Sequence, residues 1–247
     1  MSACSSDPEK KTPKEWLQEN TTLLQQLRSY DAKERIDAIN RFKEVGKKRG
    51  TLYALALLQD QTLEDYRIEV VLARILADWR DRRAIPFLLR HLFHIDASAS
   101  DIAVEGLLVF RDDSERIVEA LEDRISGPVT RERMISTRVL SRIGSEEVID
   151  LFHKRYLHEP QKEIRAEFLM AIDESKVHPR QRTILIDSLT DGDPSLREFA
   201  WNALNAHHRL PQELEFEPDG DANQRAGQVA RLRIWDRKST SVARPRR

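Results

Sequence analysis

Cysteine is nearly absent from this chain: Cys4 is the only one in 247 residues. A single thiol excludes an internal disulfide and any zinc site built on cysteines. Glycine numbers only 8 and aromatic residues make up 6% of the chain, which argues against a glycine-rich β fold. No apolar run approaches the roughly 20 residues that span a bilayer, and no signal-peptide core precedes the first helical pattern. The motifs of common enzymes are missing too. There is no glycine-rich phosphate loop, no Gly-x-Ser-x-Gly elbow and no His-Glu-x-x-His. The expectation is a cytoplasmic chain with no cofactor, no metal and no catalytic residue.

What the chain does have is a repeat. Arg35, Glu69, Asp101, Arg133, Arg165 and Arg197 form one column, with steps of 34, 32, 32, 32 and 32. Seven residues after each stand Phe42, Leu76, Leu108, Leu140, Ile172 and Leu204, all apolar. Six after stand Arg41, Ile75, Leu107, Val139, Ala171 and Ala203. Three after stand Ala38, Leu72, Val104, Ser136, Phe168 and Ala200. Offsets of three, six and seven share one face of a helix and cannot share one face of a strand. A helical unit at this period predicts a solenoid, in which each unit buries its apolar face only against its neighbours.

The copies resemble the HEAT repeat, particularly its bacterial form. Asp193-Pro194-Ser195-Leu196-Arg197-Glu198-Phe199-Ala200-Trp201-Asn202-Ala203-Leu204 matches the family's second helix, and Ala84-Ile85-Pro86-Phe87-Leu88-Leu89 its first. Ile164-Arg165 repeats the family's Val-Arg pair. The resemblance covers about residues 31 to 208 and implies an all-α, right-handed α-α superhelix, a HEAT-like solenoid of about six helical hairpins. Glu69 and Asp101 depart from the arginine column, and the Asp four before an Arg survives only as Asp31 and Asp193. An Asp–Arg ladder of the family's kind is therefore expected to be broken in the middle.

The chain reads as five parts. Residues 1–13 are polar with Pro8 and Pro13, and are expected to be disordered. Residues 14–30 form an N-terminal cap helix, and 31–210 the HEAT-like repeat domain. The hairpins fall at 32–48 with 51–59, 62–79 with 83–95, 99–110 with 114–126, 130–143 with 145–158, and 161–174 with 179–190, before a last helix at 194–208. Pro128, Pro160 and Pro194 lie between units, where proline starts a helix but does not continue one. Gly46, Gly144 and Gly192 are expected at helix ends. Residues 211–221 are an acidic loop, and 222–247 a basic C-terminal helix and tail. That last part carries eight basic residues against Asp236, or +7. Since the chain sums to −1, residues 1–221 carry −8.

Two surfaces emerge as candidates. By the family resemblance the Arg-bearing helices line the concave side of the solenoid, with exposed positions two and five after the column. These are Asp37, Asn40, Glu167, Met170, Phe199 and Asn202. Apolar Met170 and Phe199 among polar neighbours suit a protein-binding face, although Phe199 equally fits sideways packing between helices. The second surface is the tail, where Arg237, Lys238, Arg244, Arg246 and Arg247 would meet a polyanion such as nucleic acid. The competing reading has the helix at 222–238 capping the last repeat, Val229, Leu232 and Trp235 inward, with its arginines paired to the acidic loop.

The column arginines themselves read as structural, each bonding a neighbouring repeat's turn acid or carbonyl. His91 with His94, and His207 with His208, lack further ligands that would make a metal site. Deoxyhypusine hydroxylase, built on similar repeats, needs several His-Glu pairs, and only His158-Glu159 exists here.

The leading expectation is a non-enzymatic scaffold that binds a partner protein. The alternatives are a nucleic-acid-associated protein resembling the helical-repeat DNA glycosylases, and a maturation factor resembling the bilin lyases. Met1-Ser2-Ala3-Cys4-Ser5-Ser6 also looks like the end of a lipoprotein cleavage box. With a true start further upstream, Cys4 would carry a lipid and hold the protein at the envelope.

Overall fold

The computed structural model describes residues 12–60, 65–174 and 180–242; Cys4, Arg244, Arg246 and Arg247 lie outside them. Among the described residues all regular structure is helical, with fourteen α-helices and two 3-10 turns. The chain divides into two compact units, Met1–Asp113 and Ser114–Arg247. One uninterrupted repeat domain over 31–210 is expected from the sequence, and the division falls inside its third predicted hairpin.

The first unit holds α1 (Pro13–Glu19), α2 (Thr21–Leu27), α3 (Ala32–Glu44), α4 (Lys47–Gln59), α5 (Tyr66–Asp78), a 3-10 turn (Arg82–Ala84), α6 (Ile85–His91) and α7 (Ala97–Leu108). The expected cap helix is two helices, because Asn20 leaves helical geometry at φ −113° and ψ 29°. Its side chain bonds the Trp16 carbonyl at 2.8 Å, the competition with the backbone typical of asparagine. Trp16 stacks on Tyr53 at 4.8 Å and meets Phe42 edge-on at 5.4 Å, which closes this end of the core.

Aspartates cap four of the six column helices. Asp31 accepts from Lys33 N and Glu34 N, Asp65 from Arg67 N, Asp96 from Ser98 N and Asp193 from Ser195 N. Each such cap stabilises by about 1 kcal/mol. Asp65 escapes a search for Asp before Arg because its column residue is Glu69. Asp96 escapes because the third column residue is misplaced by one. In α7 the buried positions are Ala99, Ala103, Gly106 and Leu107, whereas Asp101 is exposed and Leu108 only half-buried. Ser100, not Asp101, therefore occupies the column, and its hydroxyl bonds the Leu92 carbonyl at 2.6 Å. The true steps around it are 31 and 33.

Close packing also explains a glycine. A Cβ on Gly50 would stand 2.2 Å from Trp79 Cη2, and the fused ring has no flexible end to move. Gly50→Ala is expected to destabilise the first unit by about 1–3 kcal/mol through overpacking. In a helix free of that contact, alanine would instead stabilise by about 1 kcal/mol. Urea denaturation of Gly50→Ala with and without Trp79→Leu checks the sign.

The second unit holds α8 (Glu115–Ser126), α9 (Thr130–Ile143), α10 (Glu146–Tyr156), α11 (Lys162–Glu174), α12 (Gln181–Ser188), α13 (Pro194–His207) and α14 (Ala222–Val242). Its core is the repeat face: Ser136, Leu140, Phe168, Ile172, Ala200 and Leu204 are fully buried. Gly144 ends α9 in the left-handed region at φ 63°, which glycine adopts without a Cβ penalty.

Helix α14 packs on α12, burying Val229 and Leu232 while Trp235 is half-buried. Its polar partners differ from the sequence expectation. The acid Asp236 is buried and accepts from Arg182 Nε and, at 2.7 Å, from Thr183 Oγ1. Arg233 reaches Asp187 of α12 at 2.8 Å, and Arg225 donates to the Gly220 carbonyl. These two arginines thus bond the helical body and a backbone carbonyl, not the carboxylates of 211–221. Phe216 of that loop is buried, with its ring 5.8 Å from Trp201, so Trp201 is half-buried under the loop.

Asp187 ties three helices together, accepting from His153 at 3.2 Å and from Arg233. Burial alone would raise its carboxyl, but the bonds from His153 and Arg233 outweigh it and hold the group below the usual carboxylate range. A depressed folded value contributes stability above the unfolded value and loses it as pH falls through the folded one. Asp187→Asn should therefore cost a constant amount near neutrality. That difference should shrink as pH drops below the ordinary carboxylate value of 3.8, which thermal melts across that range would read.

Candidate partner-binding groove

The column arginines obey one rule. Arg35 Nη1 donates to the carbonyls of Ser29 and Tyr30, Arg133 Nη1 to Gly127 and Pro128, Arg165 Nη1 to Glu159 and Pro160, and Arg197 Nη1 to Asp191 and Gly192. Each pair lies six and five residues before its arginine, in the turn that enters the column helix. The opposite edge of the guanidinium then takes a second partner. Arg133 Nε and Nη2 bond both oxygens of Glu159 at 2.9 and 3.2 Å. Arg165 bonds both oxygens of Asp191 at 2.8 and 3.1 Å. Arg197 Nε bonds the Pro218 carbonyl at 2.7 Å.

The acids of the ladder thus stand six residues before the next arginine, not four. The ladder lies in the second unit. It is structural, because every edge is filled from within.

The first unit treats its column differently. Glu69 bonds His91 Nε2 at 2.8 Å and Arg90 at 3.4 Å, so charge is inverted. His91 is 4% exposed, and burial holds its imidazole below the ordinary value against the pull of Glu69. Among the described residues the Arg35 guanidinium bonds only the two carbonyls.

Beside Arg35 the column helices α3, α5 and α7 leave two adjoining recesses. One, of about 260 Å³, is lined by Tyr30, Arg35, Arg67, Val70, Val71 and Asp96, with Ile102. The other, of about 290 Å³, is lined by Arg35, Ile36, Ile39, Val71, Arg74 and Ile102, with Asp78. Arg35, Val71 and Ile102 belong to both. The result is one groove with an aliphatic floor and polar ends. Tyr30, lining the first recess, is 83% exposed, and Ile36, lining the second, 56%.

Most charges around the groove are matched. Arg67 forks onto Asp65 at 3.1 Å through both Nε and Nη2 and lies 4.5 Å over the Tyr30 ring. Asp78 accepts from Lys43 at 2.6 Å and Arg74 at 2.9 Å. Burial would raise Asp78, yet these two bonds hold it below the usual range. Asp96 takes the Tyr66 hydroxyl at 2.8 Å and Ser98 N. The Tyr66 bond keeps its carboxyl ionised below the ordinary value, and the same bond pushes the tyrosine up.

The residues named from sequence fall around two patches. Asp37 and Asn40 are exposed on α3, one residue after Ile36 and Ile39. Ile36 and Ile39, one and four after the column, are aliphatic α3 side chains that line the recess. On α11, Met170 is 43% exposed, while Glu167 is half-buried and accepts from Ser141 Oγ at 2.9 Å. On α13, Phe199 is half-buried and Asn202 exposed. Arg237 and Lys238 are exposed on α14, and Arg237 Nε bonds the Arg233 carbonyl. Among the described residues no three His, Cys, Asp or Glu side chains converge as a metal site, and no helix is long and apolar enough to cross a membrane.

No protein-family model matches the chain, and no curated protein matches it. Among solved structures it is similar to Cex1p at 14% identity, covering 79% of this chain and 43% of that one with a TM-score of 0.54. The chain thus spans under half of Cex1p. It is also similar to the complex of CpcE and CpcF of phycocyanin lyase from Nostoc sp. PCC7120, at 21% identity, 83% and 80% coverage and a TM-score of 0.41. Human deoxyhypusine hydroxylase in complex with glycerol matches at 18% identity, 88% and 95% coverage and a TM-score of 0.30. The likeness to Cex1p is one of fold, and the weaker two carry no argument. Among its described residues the chain is all-α, of the helical-repeat class.

Proposed function

We propose that this protein is a non-enzymatic scaffold that binds a partner protein on the faces of its column helices. The groove on α3, α5 and α7 carries the reading. It joins an aliphatic floor to an arginine rim, and Ile36 is more than half exposed at its edge. An apolar centre with a polar margin is the composition of a protein-binding hot spot. Asp37 and Asn40 flank that centre. Met170 and Phe199, with Glu167 and Asn202, offer a further patch on α11 and α13, and the proposal extends to it.

A polyanion contact through Arg237, Lys238 and the terminal Arg244, Arg246 and Arg247 is the alternative. Residues 222–238 favour it little, since Arg225 and Arg233 already hold partners in the body. A glycosylase-like or bilin-lyase-like role rests on analogy of fold alone.

The test is cross-linking capture from native lysate, with and without nuclease, for wild type and Ile36→Asp. The scaffold reading expects one protein cross-linked to α3–α7, surviving nuclease and lost in the variant. Capture that disappears with nuclease and maps near Arg237 and Lys238 would replace it with the polyanion reading.

A further inference from the structure

Four column arginines sit in the same turn and make the same two carbonyl bonds through Nη1, yet only three have their other edge filled. On Arg133 and Arg165 a carboxylate forks across Nε and Nη2; on Arg197 the Pro218 carbonyl takes Nε. On Arg35 no described residue takes that edge, and the side chain lines both recesses of the groove.

The chain thus contains its own template for what this position binds. A guanidinium held by two carbonyls presents a planar pair of donors that fits both oxygens of one carboxylate. The neighbouring cations are not equivalent, because Arg67 is forked onto Asp65 and Arg74 and Lys43 converge on Asp78. Asp96 shares the first recess but already accepts from Tyr66 and Ser98. It disfavours a second carboxylate at its own end.

We propose that the groove seats an acidic, apolar segment of a partner protein. One carboxylate of that segment takes the Nε and Nη2 edge of Arg35, as Glu159 does on Arg133, and its apolar side chains cover Ile36, Ile39 and Ile102. The proposal rests on the reading of the groove as a protein-binding face and adds the chemistry of the bound segment. The match of charge and floor selects the occupant: an aliphatic surface admits apolar side chains, and the one guanidinium lining the groove that no described carboxylate bonds demands an acid beside them.

The experiment is selection of a displayed library of random 12-residue peptides on the full-length chain, followed by anisotropy titration of the selected sequences. Parallel selections use Arg35→Gln, Arg35→Lys and Ile36→Asp, each first shown by circular dichroism to melt as wild type does. The expected result is a set of peptides that combine aliphatic residues with an Asp or Glu. Replacing that acid by its amide should weaken binding about fivefold, the worth of one partly exposed ion pair. Against Arg35→Gln the amide and acid peptides should bind alike, and Arg35→Lys should keep part of the preference.

Peptides that need Ile36 but show no acid preference would overturn the carboxylate proposal and leave the groove reading standing. Peptides insensitive to Ile36→Asp, or no selected peptides at all, would overturn both. Concentration-dependent self-association abolished by Ile36→Asp would make a second copy of the chain the occupant and equally overturn the proposal.

Discussion

Replacing Arg133 by methionine should destabilise the second unit by about 3–5 kcal/mol, the usual cost of leaving one member of a buried ion pair behind. Both partners are out of water: the Arg133 side chain is 8% exposed and that of Glu159 1%. Glu159 has one further donor, Gln161 N at 2.9 Å, too little to hold a carboxylate in the interior. The substitution also frees the Gly127 and Pro128 carbonyls before α9. Arg133→Met with Glu159→Leu should recover most of the loss, because two apolar groups of similar size remove the charge along with its partner. Arg124, which meets Glu132 at 2.8 Å with its side chain 53% exposed, is the internal control. Its loss should cost under about 1 kcal/mol. Hydrogen exchange of the α9–α11 amides in the full chain measures all of these. Equal protection in Arg133→Met and wild type would show that the ladder contributes geometry and not stability.

The second large effect is on binding. Ile36→Asp places a charge on the exposed lip of the groove, where it touches little of the core. Stability should change by no more than about 0.5 kcal/mol, as for surface positions in general. Affinity for the partner should fall by at least about thirtyfold, since a hot-spot residue contributes roughly 2 kcal/mol or more and the new carboxylate must be desolvated beside it. An effect confined to stability would show that Ile36 is a packing residue. Asp37→Ala, one residue along, is expected to change affinity several-fold less.

The pattern of residues alone was enough for the class of fold. Offsets of three, six and seven around a period near 32 leave no secondary structure but a helix; α5, α9, α11 and α13 bury all three positions, and α3 buries Ala38 and Phe42 while Arg41 is exposed. Sequence also gave the arginine column a structural role, because a charged residue at the same helical position in four copies suits a repeated turn.

Three things needed the tertiary structure. The slip from Asp101 to Ser100 is invisible in one copy, since only burial shows which neighbouring residue faces inward. The acid partners of the ladder come from the next turn, and spacing within a repeat does not reveal which turn a side chain reaches. The tail's helix buries Val229 and Leu232 as its pattern suggests, but the partners of its charges needed the fold: the nearest acids along the chain are those of 211–221, whereas Arg233 and Asp236 find partners on α12, about fifty residues away.

The groove lies furthest from the sequence. Ile36, Ile39 and Ile102 are ordinary aliphatic residues whose pattern gives no sign of exposure. They become a surface only because three helices from different repeats stand side by side and leave the space above them unfilled. Local periodicity sets which residues each helix buries. What two or three helices leave open between them depends on long-range packing, and only the folded chain decides it.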